Sequence, residues 1–239
     1  MIDRRVVLKL GLAALATACT TAESGARAGR LTARPIVTKS PLGPGLHSLQ
    51  LDREALLLIP ANHRGAFAAV LHGATGAPER IIKRLQPAAE ESGVALLATK
   101  SKRETWDAIN GWPGTDLLFL DDAMRAAFAR CTVDPAHLAI AGFSDGASYA
   151  VSLGVANGDL FSHVIAFSPG FVIPLPRAGR ARFFISHGTA DPILPIDHAG
   201  RQIARELRAA GFSVTLREFE GEHTIPPGIA REAFEWLRL

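Results

Sequence analysis

The chain has 239 residues, of which 48% are apolar, so it is long enough to bury the core of one α/β domain. Its formal charge of +3 includes the basic N-terminal residues Arg4, Arg5 and Lys9, and no other block of Lys and Arg occurs. This composition favours a solvated surface of mixed charge over a polyanion-binding face, so we expect no nucleic-acid partner.

The first 19 residues are typical of a bacterial export signal. Residues 3–9 (DRRVVLK) are close to the twin-arginine pattern, and the apolar stretch after them, residues 11–18, is too short to span a bilayer. It ends in LATAC, which resembles a lipoprotein box with Cys19 as the lipidated residue; cleavage after Ala18 by an ordinary signal peptidase is the alternative. We expect an exported protein, periplasmic or membrane-anchored, that meets a membrane only through a lipid on Cys19.

Residues 20–45 are rich in Ala, Gly, Arg, Thr and Pro and lack periodicity, which predicts a flexible linker before a domain over residues 46–239. Cys131 is the single cysteine beyond Cys19, so a processed chain has no internal disulfide. Because Cys131 ends an Ala-rich helical run, we expect it to be a buried apolar residue.

Short apolar runs alternate with helical patterns through the rest of the chain, which predicts an α/β fold with a mostly parallel sheet covered on both faces. The first two strands should form a hairpin, and the last strand should lie at an edge. Strands are predicted at 47–51, 55–59, 67–71, 94–98, 138–141, 163–167, 182–186 and 213–219. Helices are predicted at 78–91, 116–130, 146–157, 203–210 and 228–237.

The central motif is GFSDG at residues 142–146, which follows a predicted strand and precedes a predicted helix. This G-x-S-x-G pattern is typical of a nucleophile elbow, in which the serine has a strained backbone and its flanking chain passes too close for side chains. Ser144 is therefore the candidate nucleophile, placed at a helix N-terminus that favours developing negative charge.

A serine nucleophile needs a base, and the base needs a carboxylate to orient it. Asp191 and His223 each follow a predicted strand, at the sheet edge where α/β proteins place their sites. The chain order serine, aspartate, histidine is that of an α/β-hydrolase. Asp197 and His198 are the nearest rivals, but they lie further from the strand end.

An acyl-transfer site also needs donors for an oxyanion. The backbone N–H of Asp145 is one candidate, and that of Ala74 in the loop HGATG (72–76) is the other, because this loop follows an early strand and its glycines allow close approach. His72 is expected to be structural.

Together these motifs resemble the α/β-hydrolase superfamily, and within it the phospholipase/carboxylesterase and dienelactone-hydrolase-like branch, which includes small feruloyl esterases and polyester depolymerase relatives. The resemblance covers about residues 46–239 and implies cleavage of a carboxylic ester through an acyl-enzyme, with no metal and no organic cofactor. The branch often has Gln after the nucleophile, where this chain has Asp145. That difference leaves the backbone donor in place but alters the charge beside the acyl pocket.

The substrate is less constrained than the chemistry. Trp106 and Phe143 are candidates for the pocket wall, with a core-capping role for Trp106 as the alternative. Few residues separate the strands at 163–167 and 182–186, so little or no lid is expected, and a small or short acyl ester fits best. A thioesterase, lysophospholipase or peptidase could use the same groups, and a catalytically silent binding lipoprotein is the alternative outside enzymes.

Overall fold

The computed structural model describes residues 25, 28–38 and 40–239. The predicted export signal and Cys19 lie outside these residues. Within them, no helix combines the length and apolar character that a membrane crossing requires.

The centre of the described fold is a sheet in the order β1-β2-β4-β3-β5-β6-β7-β8. β1 pairs antiparallel with β2 and β2 with β4, whereas all pairs from β4 to β8 are parallel. The mostly parallel sheet, its opening hairpin and its final edge strand are as predicted. The strands are β1 (Gly45–Ser48), β2 (Ala55–Ile59), β3 (Phe67–Leu71), β4 (Ala95–Thr99), β5 (Leu138–Phe143), β6 (His163–Phe167), β7 (Arg182–Gly188) and β8 (Ser213–Phe219).

Helices cover both faces of the sheet, as predicted, because alternate strand residues face opposite cores. One core contains apolar side chains of α1 and α5 and the other contains those of α2, α3 and α4. The helices are α1 (Pro78–Ser92), α2 (Thr115–Phe128), α3 (Asp145–Ala156), α4 (Gly200–Ala209) and α5 (Pro227–Leu237).

Boundaries differ from prediction mainly where pairing extends or ends an element. β7 continues to Gly188 because His187 and Gly188 still pair with Glu218 and Phe219 of β8. β1 ends at Ser48, since Gln50 adopts a positive φ of 52° and turns the chain toward β2. The carboxyl ends of β3 to β8 meet at one edge, which is where the candidate site lies.

Two further local predictions are confirmed. Cys131 is buried, and burial raises the pKa of its thiol to about 12, as expected for an inert apolar residue. Residues 168–181, between β6 and β7, contain no helix, which fits the expected lack of a lid.

The prediction of a flexible linker over residues 20–45 is wrong for residues 30–33, which pack on the domain. Leu31 and Ala33 are each 1% exposed. The backbone N–H of Leu31 donates to Asn157 Oδ1 at 2.8 Å, and that of Ala33 donates to Asp121 Oδ1 at 2.7 Å. We call residues 30–33 the strap. Composition alone does not reveal its packing, because its hydrogen-bond partners lie about 90 to 130 residues further along the chain.

Replacing Asp121 with alanine is expected to lower the free energy of unfolding by about 2–4 kcal/mol, because its buried carboxylate accepts bonds from Thr32 and Ala33 in the strap and from Arg125. Chemical denaturation of the full chain measures this. Asp122 is the matched control: it is exposed and pairs with the same arginine at 3.4 Å, so Asp122→Ala should cost about 0.5 kcal/mol or less. Equal losses in the two variants would show that the strap does not contribute to stability.

Candidate active site

Ser144 occupies the turn between β5 and α3 with a strained backbone, as predicted. Its φ is 56° and its ψ is −119°, a conformation that residues with a Cβ rarely adopt. Its N–H donates to Phe167 O at 2.9 Å, while its carbonyl accepts from Ala147 and Ser148 to begin the helix. The strain is therefore maintained by bonds on both sides of the turn.

The two glycines of the motif are required by close approach, again as predicted. A Cβ on Gly146 would lie 2.2 Å from Leu71 O, and one on Gly142 would lie 2.2 Å from Gly146 O. Since both neighbours are backbone atoms that cannot move aside, α3 can pack this closely on β3 and β5 only with glycine at these positions.

Asp191 and His223 meet at the same edge, on the loops that follow β7 and β8. His223 Nδ1 lies 2.6 Å from Asp191 Oδ2, and the Asp191 side chain is fully buried while that of His223 is 15% exposed. The rings of His223 and Phe143, the residue before Ser144, are 4.8 Å apart between centroids. Among the hydrogen bonds of the described chain, none joins Ser144 Oγ to His223.

The Asp191 carboxylate is held in its charged form despite its burial. Burial alone would raise its pKa, but backbone N–H donors from Leu194 and Ile193, each 2.9 Å from Oδ1, together with the His223 ring, outweigh it and lower the pKa. The rival Asp197 is instead exposed and paired with Arg201 at 2.8 Å. The geometry thus selects Asp191 over Asp197.

His187 is a neighbour of Asp191 that sequence reasoning did not assign. Its fully buried ring lies at the end of β7, with Nε2 2.7 Å from Leu194 O and 3.2 Å from Asp191 Oδ2. Both neighbours are acceptors, so Nε2 carries the proton, and burial lowers the pKa of the ring and keeps it neutral. The only sequence signal was its position immediately before the Asp191 loop.

His187→Leu is expected to lower kcat for a p-nitrophenyl ester about tenfold with little change in KM, because the Asp191 loop loses a fixed donor and the carboxylate loses its alignment. His187→Gln, which can present an N–H near the same position, should recover most of that loss. Steady-state kinetics on variants with wild-type-like melting curves measure this. If the Gln variant were as impaired as the Leu variant, the donor would have no positioning role.

The loop after β3 lies against the elbow, as predicted. A Cβ on Gly73 would lie 3.3 Å from Ser144 Cβ. The Thr75 N–H donates to Glu104 O and the Gly76 N–H to Gly73 O, whereas the exposed Ala74 N–H donates to no acceptor in the described residues. Ala74, next in the chain to the glycine that lies against Ser144, therefore has a backbone N–H without an acceptor among the described residues.

His72 has the structural role expected of it. Its Nε2 accepts the Ser101 N–H at 3.2 Å, so Nδ1 carries the proton and donates to Gly73 O at 2.7 Å. Burial lowers the pKa of the ring and keeps it neutral. The His72 ring thus fixes the loop that carries Ala74.

Asp145 begins α3, and a residue at this first helical position has no intrahelical acceptor for its N–H. Its side chain accepts a hydrogen bond from Thr105 Oγ1 at 2.6 Å. The carboxylate is therefore tied to the loop after β4, which sequence reasoning did not foresee.

The two candidates for the pocket wall have different outcomes. Trp106 is only 1% exposed, packs against the rings of His72 and Tyr149, and donates its Nε1–H to His72 O at 2.8 Å. Its assignment to the pocket wall is therefore corrected: the indole lies in the core and supports the Ala74 loop through its contacts with His72. Phe143 is half-buried and does border a cleft beside the site.

This cleft, which we call the arginine cleft, has a volume of about 300 Å³ and lies between the Ala74 loop, α1 and the His223 loop. Its apolar surface comes from Phe143, Ile81 and Ile225, and its charged surface from two arginines of α1. The residues that line it include Ala74, Arg80, Ile81, Arg84, Phe143 and Ile225.

No known protein-family model matches the sequence. Over 144 residues, or 55% of this chain, it is 30% identical to a protein of Nocardia uniformis subsp. tsuyamanensis named "Putative esterase NocK". The matched region is 41% of that protein, so the chain spans about two fifths of the length of the curated relative it matches.

Solved structures match over most of the chain at low sequence identity. The crystal structure of esterase PE8 covers 76% of this chain and 96% of its own, with a TM-score of 0.62 and 21% identity. A phospholipase/carboxylesterase from Dyadobacter fermentans DSM 18053 covers 79% of this chain and 97% of its own, with a TM-score of 0.60 and 20% identity. The chain therefore has the α/β-hydrolase fold that its motifs predict.

Proposed function

We propose that this protein is a serine hydrolase that cleaves carboxylic esters through an acyl-enzyme on Ser144. The observation that carries the proposal is the 2.6 Å hydrogen bond between His223 and the buried Asp191, at the edge where Ser144 is held in a strained turn. A histidine whose Nδ1 is bound to a carboxylate has Nε2 left as a base.

In this mechanism His223 Nε2 takes the hydroxyl proton of Ser144 as Oγ attacks the ester carbonyl. Asp191 keeps the proton of the ring on Nδ1 and stabilises the imidazolium that forms. The imidazolium then returns the proton to the leaving alcohol, and a water repeats the sequence to release the acid. The bond between Ser144 and His223 need not be formed before substrate binds, since such bonds often tighten only in the complex.

The oxyanion of the tetrahedral intermediate would accept hydrogen bonds from the backbone N–H groups of Ala74 and Asp145. Both are free donors that flank Ser144, one on the loop after β3 and the other at the start of α3. Donors of this kind each contribute about 3 kcal/mol to the stabilisation of the transition state. The Asp145 carboxylate does not interfere with its own N–H, because Thr105 holds it aside.

An ester is the substrate class that several observations favour. The curated relative and the solved neighbour PE8 both carry the name esterase. The absence of a helix between β6 and β7, in residues 168–181, leaves the edge open to small or short acyl esters.

Labelling with a fluorophosphonate tests the proposal directly, because this probe reacts with a serine that an adjacent base has activated. We expect mass spectrometry to place the label on Ser144 and a His223→Gln variant to lose labelling. A parallel panel of acyl esters, thioesters and aminoacyl amides should show esters as the best substrates. Absence of both the label and any ester cleavage would contradict the proposal, and absence of cleavage across the whole panel would favour the binding-lipoprotein alternative.

A further inference from the structure

We infer that the preferred ester carries a second, anionic group, a carboxylate, which Arg80 and Arg84 bind in the arginine cleft. This inference rests on the proposed ester hydrolysis and adds the class of substrate to it. The two arginines are one helical turn apart on α1, so their side chains lie on the same face of that helix, toward the cleft.

Both guanidinium groups are attached to the loops that carry the candidate catalytic groups. Arg80 donates to the carbonyl of Thr75, next to the Ala74 donor, and Arg84 donates to the hydroxyl of Thr224, next to His223. Each bond uses one of the five N–H donors of a guanidinium. The remaining N–H donors of the two arginines have no partner among the described residues and can bind a ligand. The two bonds also fix the position of each guanidinium relative to the loops of Ala74 and His223.

The charge in the arginine cleft is only partly compensated within the described chain, because no carboxylate lines the cleft. All residues that line it are apolar, neutral or arginine, and neither arginine is paired with a carboxylate of the described residues. The nearby Arg231, by contrast, is neutralised by Glu91 at 2.7 Å. The adjacent Glu79 does not line the cleft, but its carboxylate is charged and attracts Arg80: the pKa of Glu79 is lowered by Glu54 first, and also by Lys100 and Arg80.

The apolar lining of the arginine cleft suits the uncharged part of such a substrate. Ile81 and Ile225 are buried beneath the opening and Phe143 borders it on the side of Ser144. A short apolar chain can therefore run from the ester carbonyl toward the arginines, where a planar carboxylate matches the fork of a guanidinium.

Two matched pairs of esters test the inference and identify which part of the substrate carries the charge. For the acyl side, the mono-4-nitrophenyl ester of adipic acid is compared with its carboxamide counterpart; for the alcohol side, 4-carboxyphenyl butyrate is compared with 4-carbamoylphenyl butyrate. The two members of each pair have nearly the same shape and differ in charge, and the carbamoylphenyl ester has the better leaving group, so a preference for the anion in that pair does not come from intrinsic reactivity. We expect kcat/KM to be about tenfold higher for the anion in at least one pair, mainly through KM.

The preference should disappear in Arg80→Gln/Arg84→Gln and should survive in part in Arg84→Lys, which keeps the charge but not the fork. Lys83→Gln is the control, since Lys83 lies on the same helix but does not line the cleft, and it should keep the wild-type preference. The preference should also fall as salt is added, because the arginines are exposed.

Equal rates within both pairs, or a preference that persists in the double variant, would overturn the inference while ester hydrolysis stands. If wild-type protein cleaved none of the four esters and no simple acyl ester in a manner dependent on Ser144, the proposed function would fail, and the inference with it.

Discussion

Replacing Ser144 with alanine is expected to lower kcat for p-nitrophenyl butyrate by at least about 10⁴-fold, because the nucleophile of both half-reactions is lost. Steady-state assays with active-site-titrated wild type as reference measure this. Ser213→Ala is the control, since that hydroxyl is exposed at the start of β8, and it should leave kcat unchanged. Retention of more than a few per cent of activity in Ser144→Ala would contradict the assignment.

The strained turn makes a second measurement at the same position informative. The free energy of unfolding should be about 1 kcal/mol higher for Ser144→Gly than for Ser144→Ala, because glycine adopts a φ of 56° without the strain that a Cβ imposes. Both variants lack the hydroxyl and should be inactive. The comparison therefore separates the cost of the conformation from the chemistry that the hydroxyl performs.

The features that the sequence predicts correctly depend on neighbours along the chain. The elbow is one case: the strain of Ser144 and the close contacts of Gly146 follow from a strand, a turn and a helix that are contiguous. The contact of Asp191 with His223 follows from a general rule instead, because parallel strands bring the loops that follow them to one edge regardless of the loops' own sequences.

The features that the sequence does not predict depend on contacts made only in the folded state. Trp106 occurs in a long loop rich in glycine, yet it packs inside the core against His72. Residues 30–33 have the composition of a linker, but their backbone is held by Asn157 and Asp121. Neither the partners nor the burial can be inferred from local periodicity, so composition gave the wrong expectation for residues 30–33 and left both roles of Trp106 open.

The arginine cleft illustrates the same limit for specificity. Arg80 and Arg84 read as the polar face of an amphipathic helix, which is what most such residues are. Only the fold shows that this face ends against the loops of Ala74 and His223. The candidate catalytic groups are thus predictable from motifs here, whereas the proposed selection of substrate depends on which helix face lies beside them.

Asp191→Asn is expected to lower kcat about 10⁴-fold at neutral pH while the protein remains folded. The carboxylate has two distinct sets of partners: Oδ1 accepts two backbone N–H groups, and Oδ2 faces the Nδ1 of His223. An asparagine keeps the two backbone bonds only by placing its NH₂ toward His223. That ring must then accept at Nδ1 and carry its proton on Nε2, which leaves no base for Ser144.

Asp197→Asn is the matched control, because Asp197 lies six residues further along the same connection, is exposed, and pairs only with Arg201 among the described residues. We expect it to retain wild-type kcat. The two variants should also differ in stability. The Nε2–H of His187 faces Asp191 Oδ2, so it would point at the new NH₂ of Asp191→Asn. This contact of two donors should lower the free energy of unfolding modestly in Asp191→Asn alone. Comparable kcat values for the two variants would contradict the assignment of Asp191 as the carboxylate that controls the tautomer of His223.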